Sequence, residues 1–355
     1  MTAQVGVYIP AYNAAPFLDR AIQSVLDQTF DDFELLVLDD ASTDHTLDVI
    51  APYLSHPKLR CIRNEKNLGM SRNWNKGVAS LNNQYIARLD ADDFYESDYL
   101  SNAIPVLEAN PEVGFVFGGV NWITNEGKNS EQIMPFTSSW VVDGKLFLQN
   151  LSRCFMVYGP AVCVRRDCHV RLGGYIENMR IHSDWEMWTR IAFHYKVAYV
   201  NEIFANIIRH EENCTSQARR DTRSPDDLSL WLQMLDDHKL PYSLSKDERL
   251  LLEAAMTLRI RQALGSAISD KSYGTAIACA KFMLARPMVP RYEKLRYALL
   301  LLLIAYMPGF SKNALRGSRY TNLIWGLESQ LSIQLPAHDP CEALNFRELL
   351  SPEKK

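Results

Sequence analysis

A mixed α/β architecture, with a mostly parallel sheet flanked by helices and an α-helical extension behind it, is the fold class this sequence predicts. Three observations carry that reading. Short runs rich in β-branched and aliphatic residues alternate with helical periodicity over the first half of the chain. Polar residues, many of them carboxylates, follow directly on the ends of those runs. Beyond about residue 220 the alternation stops and longer helical patterns take over.

Taken in order, Val5–Ile9, Phe33–Leu38, Leu59–Arg63 and Tyr85–Leu89 read as strands. Ala15–Asp27, Asp44–Leu54, Ser71–Leu81 and Ser97–Ala109 read as the helices between and after them. A β-α-β-α order favours parallel strands covered by helices on both faces. Gly114–Val120 and Ala161–Arg165 extend the sheet in this reading, and Ser183–His194 adds a helix. Further on, Lys246–Ser266, Tyr273–Ala285 and Arg291–Ala305 have helical patterns bounded by Pro287, Pro290 and Pro308. The expected division is a domain at residues 1–220 and a helical region at 221–355.

Bulk properties narrow the function classes. The chain has 355 residues, 47% of them hydrophobic, enough to bury a large core. A net charge of −4 with no basic stripe beside a recognition motif predicts no nucleic-acid partner. The seven cysteines are scattered without a C-x-x-C pair, which points to reduced core thiols rather than zinc or redox chemistry. The chain enters a strand-like run almost at once and shows no secretory signal, so a cytoplasmic location is expected. Tyr297–Met307, the longest apolar stretch, is about half of the roughly 20 residues a membrane-spanning helix needs. Around it, Lys281, Arg286, Arg291, Lys294, Arg296, Lys312, Arg316 and Arg319 face one acid, Glu293. Segment 281–319 is therefore expected to contact the anionic inner face of a membrane peripherally, a core-packed helix with solvated charges being the alternative.

The densest chemistry lies in Leu89-Asp90-Ala91-Asp92-Asp93, three carboxylates in four positions at a strand end. Such crowding is costly unless a cation relieves it, and a hard divalent ion with room for phosphate oxygens fits. A solvated acidic turn is the competing reading. An EF-hand starting at Asp90 needs glycine sixth and glutamate twelfth, where Tyr95 and Ser101 stand. A phosphatase with an aspartyl nucleophile fits poorly, because Asp93 and Phe94 follow Asp92. No G-x-G-x-x-G follows the first strand.

Several segments in register resemble family-2 glycosyltransferases of the GT-A fold. They are Val7 to Asn13, Gln28-Thr29-Phe30 with Phe33-Glu34, Leu38 to Asp44, Asn64 to Gly69, Asp90 to Asp93, Leu172 to Tyr175, and Ser183-Asp184-Trp185, so the resemblance covers about Val5 to Ser216. It implies inverting transfer from a nucleoside diphosphate sugar, a UDP-sugar favoured, to a hydroxyl of a glycan or lipid-linked acceptor. Mn²⁺ or Mg²⁺ is the implied cofactor, and bacterial-type polysaccharide or lipid-linked glycan synthesis the implied setting.

Roles follow residue by residue from the resemblance. Tyr12 stacks on the nucleotide base, Pro10 and Ala11 shape the ribose pocket, and Asp40 accepts the N3–H of a uracil-like ring. Asp90 touches ribose or metal-bound water, Asp92 binds the metal and Asp93 supports its shell. Asp184 is the catalytic base, in a pair whose first member departs from the family's Glu to Ser183, and Glu186 is its fallback. Gly173 and Gly174 let the backbone pass close to a sugar, and Trp185 offers a sugar ring its face. His210 counters pyrophosphate charge or ligates the metal. Where the resemblance predicts Ala-Arg-Asn before a glycine this chain has Asn73-Trp74-Asn75-Lys76-Gly77, so a donor contact falls to Arg72 or Arg88 or is missing. Core packing for Tyr12 and Trp185, an N-cap for Asp39 and Asp40, a tight turn for the glycines and a lone surface histidine for His210 are the alternatives. At the level of function the alternatives are a non-catalytic sugar-nucleotide-binding scaffold and a metal-dependent phosphotransferase.

Overall fold

The computed structural model describes residues 3–124, 129–151, 157–177, 179, 182–209 and 273–285, with isolated positions between 245 and 298. The first half is the expected alternation: β1 (Val5–Ala11), α1 (Leu18–Leu26), β2 (Phe33–Asp39), α2 (Thr46–Ile50), β3 (Leu59–Arg63), α3 (Met70–Ala79) and β4 (Tyr85–Arg88). There follow β5 (Phe94–Tyr95), α4 (Tyr99–Ala109), β6 (Val113–Thr124), β7 (Asn129–Ile133), β8 (Trp140–Val142), α5 (Gly144–Leu151), β9 (Val162–Arg165), α6 (Arg166–Leu172), α7 (Ser183–Ala192) and β10 (Lys196–Arg209). A last helix, α8, spans Tyr273–Ala285.

The sheet runs β3-β2-β1-β4-β9-β6-β10-β5. Strands β3, β2, β1 and β4 are parallel to their neighbours, as are β6 and β10, while β9 runs antiparallel to β4 and β6. The sequence order reverses around β1, which lies between β2 and β4. Ligands of open α/β sheets bind at the C-terminal ends of strands beside such a reversal.

Pleating explains how apolar runs serve two cores. Val5, Val7 and Ile9 of β1, with Phe33, Leu35 and Val37 of β2, join one cluster, and α1 covers it with Leu18, Ala21, Ile22 and Val25. Tyr8 and Leu36 point the other way, into a cluster completed by Trp74 and Val78 of α3 and by Trp185, Met187, Trp188 and Ile191 of α7. That second cluster also takes Ala276, Cys279, Ala280 and Met283 of α8, together with Leu252, Ile260 and Leu264. These described positions of the helical region thus pack on the same core as the sheet. The patterns at 246–266 and 291–305, and most of 281–319, lie outside the described residues. No helix among the described residues is long and apolar enough to cross a membrane.

Strand β10, fourteen residues long, is absent from the sequence reading. Its pairing with β6 shifts register between Tyr199 and Ile203 and again before Ala205, and these irregularities break the two-residue rhythm by which strands are recognised.

Candidate active site

The loops after β1 and β2 are stitched together. Asn13 takes a positive φ of 51°, donates its N–H to Ser42 Oγ at 2.9 Å and accepts from the Thr43 N–H through Oδ1 at 2.9 Å. Tyr12 beside it is 51% exposed, so its ring is a surface platform and not a core aromatic. Pro10 is half-buried, and buried Ala11 accepts the Asp40 N–H on its carbonyl at 2.8 Å.

The two acids that end β2 divide their work. Asp39 is buried, accepts the Ser42 N–H at 3.1 Å and ion-pairs Arg63 Nε at 3.2 Å. Asp40, 3% exposed, holds the loop after β3: Oδ1 accepts Asn64 Nδ2 at 2.7 Å and the Leu68 N–H at 2.8 Å, and Oδ2 accepts the Gly69 N–H at 3.0 Å. A carboxylate has about four acceptor positions, so a single one remains for a nucleotide base. Neither acid caps α2, whose N-cap is His45.

At the end of β4 the three carboxylates meet different surroundings. Asp93 is buried, and its Oδ1 accepts the Ile208 N–H from β10 at 2.9 Å. Burial, followed by the charges of Asp92 and Asp90, holds its carboxyl well above the usual range. Asp90 is half-buried, and its carboxyl is pushed up to about 6, by burial first and then by the charges of Asp184 and Asp92, against the opposing pull of Arg88. Asp92 is half-buried in the same turn. Among the described residues, no group of three His, Cys, Asp or Glu side chains is already gathered as a ligand shell. The donor chemistry nevertheless suits a hard divalent cation, since two crowded carboxyls resist ionising until positive charge arrives.

Arg88, on β4 itself, joins this cluster to α7. Its Nη1 and Nη2 donate to Asp184 Oδ1 and Oδ2 at 2.9 and 3.0 Å, a bidentate fork, while Nε ion-pairs Asp90 Oδ1 at 3.0 Å. The guanidinium lies 3.6 Å from the Trp74 ring centroid and 5.8 Å from that of Tyr175. Gly159 closes the box, because a Cβ there would strike both Arg88 Nη2 and Asp184 Oδ2. Arg88 entered the sequence reading only as a substitute donor contact, and neither Trp74 nor Gly159 was given a role there. The signal was an arginine inside an apolar strand, two residues before the acid cluster, where an unpaired charge cannot be buried. Arg72, the other candidate, pairs with Glu177 at 2.7 Å on the surface.

Two expectations are corrected. Trp185 is 2% exposed and packs into the core, its ring 5.9 Å from that of His182, so it has no open face for a sugar. One residue along a helix turns the side chain by about 100°, so a helix that directs Asp184 to the cleft directs Trp185 inward. Glu186, the fallback base, is fully buried and ion-pairs Arg190 at 2.7 Å. Gly173 and Gly174 form a turn after α6: Gly173 has φ 91°, and the Gly174 carbonyl accepts Arg190 Nη2 at 2.7 Å. Ser183, which replaces the family's acid, donates to the Met179 carbonyl at 2.7 Å. His210 lies outside the described residues.

Residues 6–168 match the profile of Glycosyl transferase family 2. Over these residues, just under half of the chain, the protein is similar to family-2 glycosyltransferases. Among curated relatives, the chain resembles Escherichia coli chondroitin synthase, at 27% identity over 210 residues, or 59% of this chain and 29% of that protein. Pasteurella multocida hyaluronan synthase is 27% identical over 211 residues, 59% of this chain and 21% of that protein. The chain therefore spans less than a third of the length of these relatives. Among solved structures, S. aureus TarS 1–349 in complex with UDP-GlcNAc matches with a TM-score of 0.61 at 17% identity, covering 81% of this chain and 82% of that one. The mannosyltransferase PcManGT of Pyrobaculum calidifontis, in complex with GDP-Man and Mn²⁺, matches with a TM-score of 0.55 at 18% identity, covering 93% and 88%. At these identities the structural matches establish the GT-A type of fold.

Proposed function

We propose that the chain is an inverting glycosyltransferase that moves a sugar from a nucleoside diphosphate sugar, a UDP-sugar favoured, to an acceptor hydroxyl. The observation that supports the reading is the meeting of Asp90, from the acid cluster, and Asp184, from α7, on one guanidinium. Tyr12 is available to stack on the base, with Pro10 and Ala11 beside the ribose and Asp40 behind them. Asp92, with Asp90 and Asp93, would hold Mn²⁺ or Mg²⁺, whose chemistry is to neutralise charge on the departing diphosphate. His210 is proposed for the same charge. Support comes from PcManGT, crystallised with GDP-Man and Mn²⁺, and from TarS, crystallised with UDP-GlcNAc.

In the reaction Asp184 takes the proton of the acceptor hydroxyl, the acceptor oxygen bonds to the anomeric carbon, and the bond from that carbon to the diphosphate breaks. One base suffices for a single displacement. Polysaccharide or lipid-linked glycan synthesis is the setting that the chondroitin and hyaluronan synthases suggest, in the cytoplasm or at the inner face of a membrane through 281–319. A sugar-nucleotide-binding scaffold is the second reading, favoured by Ser183 in place of the family's acid.

The test is thermal unfolding with UDP, GDP, dTDP or CDP, each with Mn²⁺, Mg²⁺ or EDTA. At about a hundred times its dissociation constant a ligand adds roughly 2.7 kcal/mol of stability. Stabilisation by one nucleotide that requires metal is the expected result, and none at millimolar concentration would remove the donor site. Nucleotide binding without release from any sugar nucleotide would favour the scaffold.

A further inference from the structure

We propose that Arg88 is a positioning residue for the base: a rigid fork that fixes the Asp184 carboxylate and sets its distance from Asp90. This rests on the reading of Asp184 as the base. Arg88 comes from β4 and Asp184 from α7, 96 residues apart, and among the described residues the hydrogen bonds that fix the Asp184 side chain come from Arg88. The fork occupies the inner side of the carboxylate. Asp184 keeps a fifth of its side chain exposed, whereas Arg88 is 4% exposed, so the outward lone pairs of the carboxylate face solvent.

The guanidinium is itself immobilised. Trp74 covers its face at 3.6 Å, Asp90 holds the Nε edge, and Gly159 leaves no space on the Nη2 side. A planar ion held on its face and along two edges cannot rotate, so the carboxylate it grips cannot either. Lysine at this position would keep the charge and lose the fork, since an ammonium on a flexible stem cannot bind two carboxylate oxygens in one plane while stacking on a ring. Gly159 belongs to the same device, because a methyl there presses on both partners at once without altering any charge.

The experiment measures nucleotide release by the full chain from UDP-GlcNAc, UDP-glucose, UDP-glucuronate and GDP-mannose with Mn²⁺. It compares the wild type with R88K, G159A, D184N and the double variant R88K/D184N. For R88K and G159A, kcat is expected to fall about 100-fold, the cost of displacing a catalytic group by about an ångström, while donor KM stays within about threefold. Because Arg88 acts through Asp184, the double variant is expected to be no slower than D184N alone, an outcome a merely structural role would not give. Full kcat in R88K with a crippled D184N, or multiplying losses in the double variant, overturns the positioning role and leaves the base standing. If R88K fails to fold, G159A decides by the same criteria. Wild-type activity in D184N, or no release from any donor by the wild type, overturns the base and the positioning role together.

Discussion

Burial and mutual repulsion raise the Asp90 and Asp93 carboxyls, and pH dependence follows with a definite sign. A group whose folded value lies near 6, against an ordinary value of about 3.9, binds more protons folded than unfolded between those limits. Its contribution to stability without a cation is therefore greatest below pH 4 and is lost as the pH rises through about 6. A cation competes with that proton, so Mn²⁺ affinity in the presence of UDP should be about tenfold weaker at pH 5 than at pH 7, by calorimetric titration. Asp92→Ala is expected to abolish the metal-dependent part of the UDP-induced thermal shift. Asp184→Asn is expected to keep that shift and lose at least about 100-fold in kcat. The carboxylates were legible in the sequence because three acids in four positions need few explanations. The partnership of Arg88 with Asp184 was not, because it depends on α7 crossing to β4. The inward turn of Trp185 was hidden for a related reason: a motif gives spacing, and only the packed helix gives the face.

Among the elements, the loop after β3 owes its shape to one acceptor. Asp40 receives two backbone N–H groups and one amide from residues 64–69. Asp40→Ala takes the acceptor from the Leu68 N–H, while the Gly69 N–H keeps Asn67 Oδ1 and the Asn64 amide keeps Asn73 Oδ1. A loss of roughly 1–3 kcal/mol in denaturant unfolding is expected, with the greater weight on Leu68. The UDP-induced shift should fall with it, since the same loop borders Tyr12's side of the sheet. Strands β1, β2 and β4 were readable because burial on both faces makes each a largely apolar run, whereas β3, with two arginines and mostly half-buried positions, was readable from its place in the alternation. Strand β10 escaped notice because its register shifts spoil the alternation, and two-residue β5 is too short to carry a pattern.

For the molecule as a whole, the packing of α8 on the sheet's core bears on the division expected at residue 220. Met283, Ala280 and Cys279 are fully buried in the cluster that contains Trp74, Phe115 and Trp188. A chain ending at 220 should therefore unfold at a lower temperature than the full chain and bind more of a hydrophobic dye. An unchanged midpoint would support the division at residue 220. Met283→Ala is expected to cost about 2–5 kcal/mol by denaturant unfolding if α8 is integral to that core. The fold class itself was legible from the order of elements, whereas this shared core was not, because helical periodicity does not say what a helix packs against. Strand β9 has a further consequence. It runs against both parallel blocks, β3-β2-β1-β4 on one side and β6-β10 on the other. Chains are made from the N-terminus, so the block bearing Tyr12, Asp40 and the acid cluster leaves the ribosome first, and Asp184 emerges 96 residues after Arg88. On the roles proposed here, a nascent chain becomes a holder of nucleotides before it becomes a catalyst, and the arrival of α7 is the event that arms it.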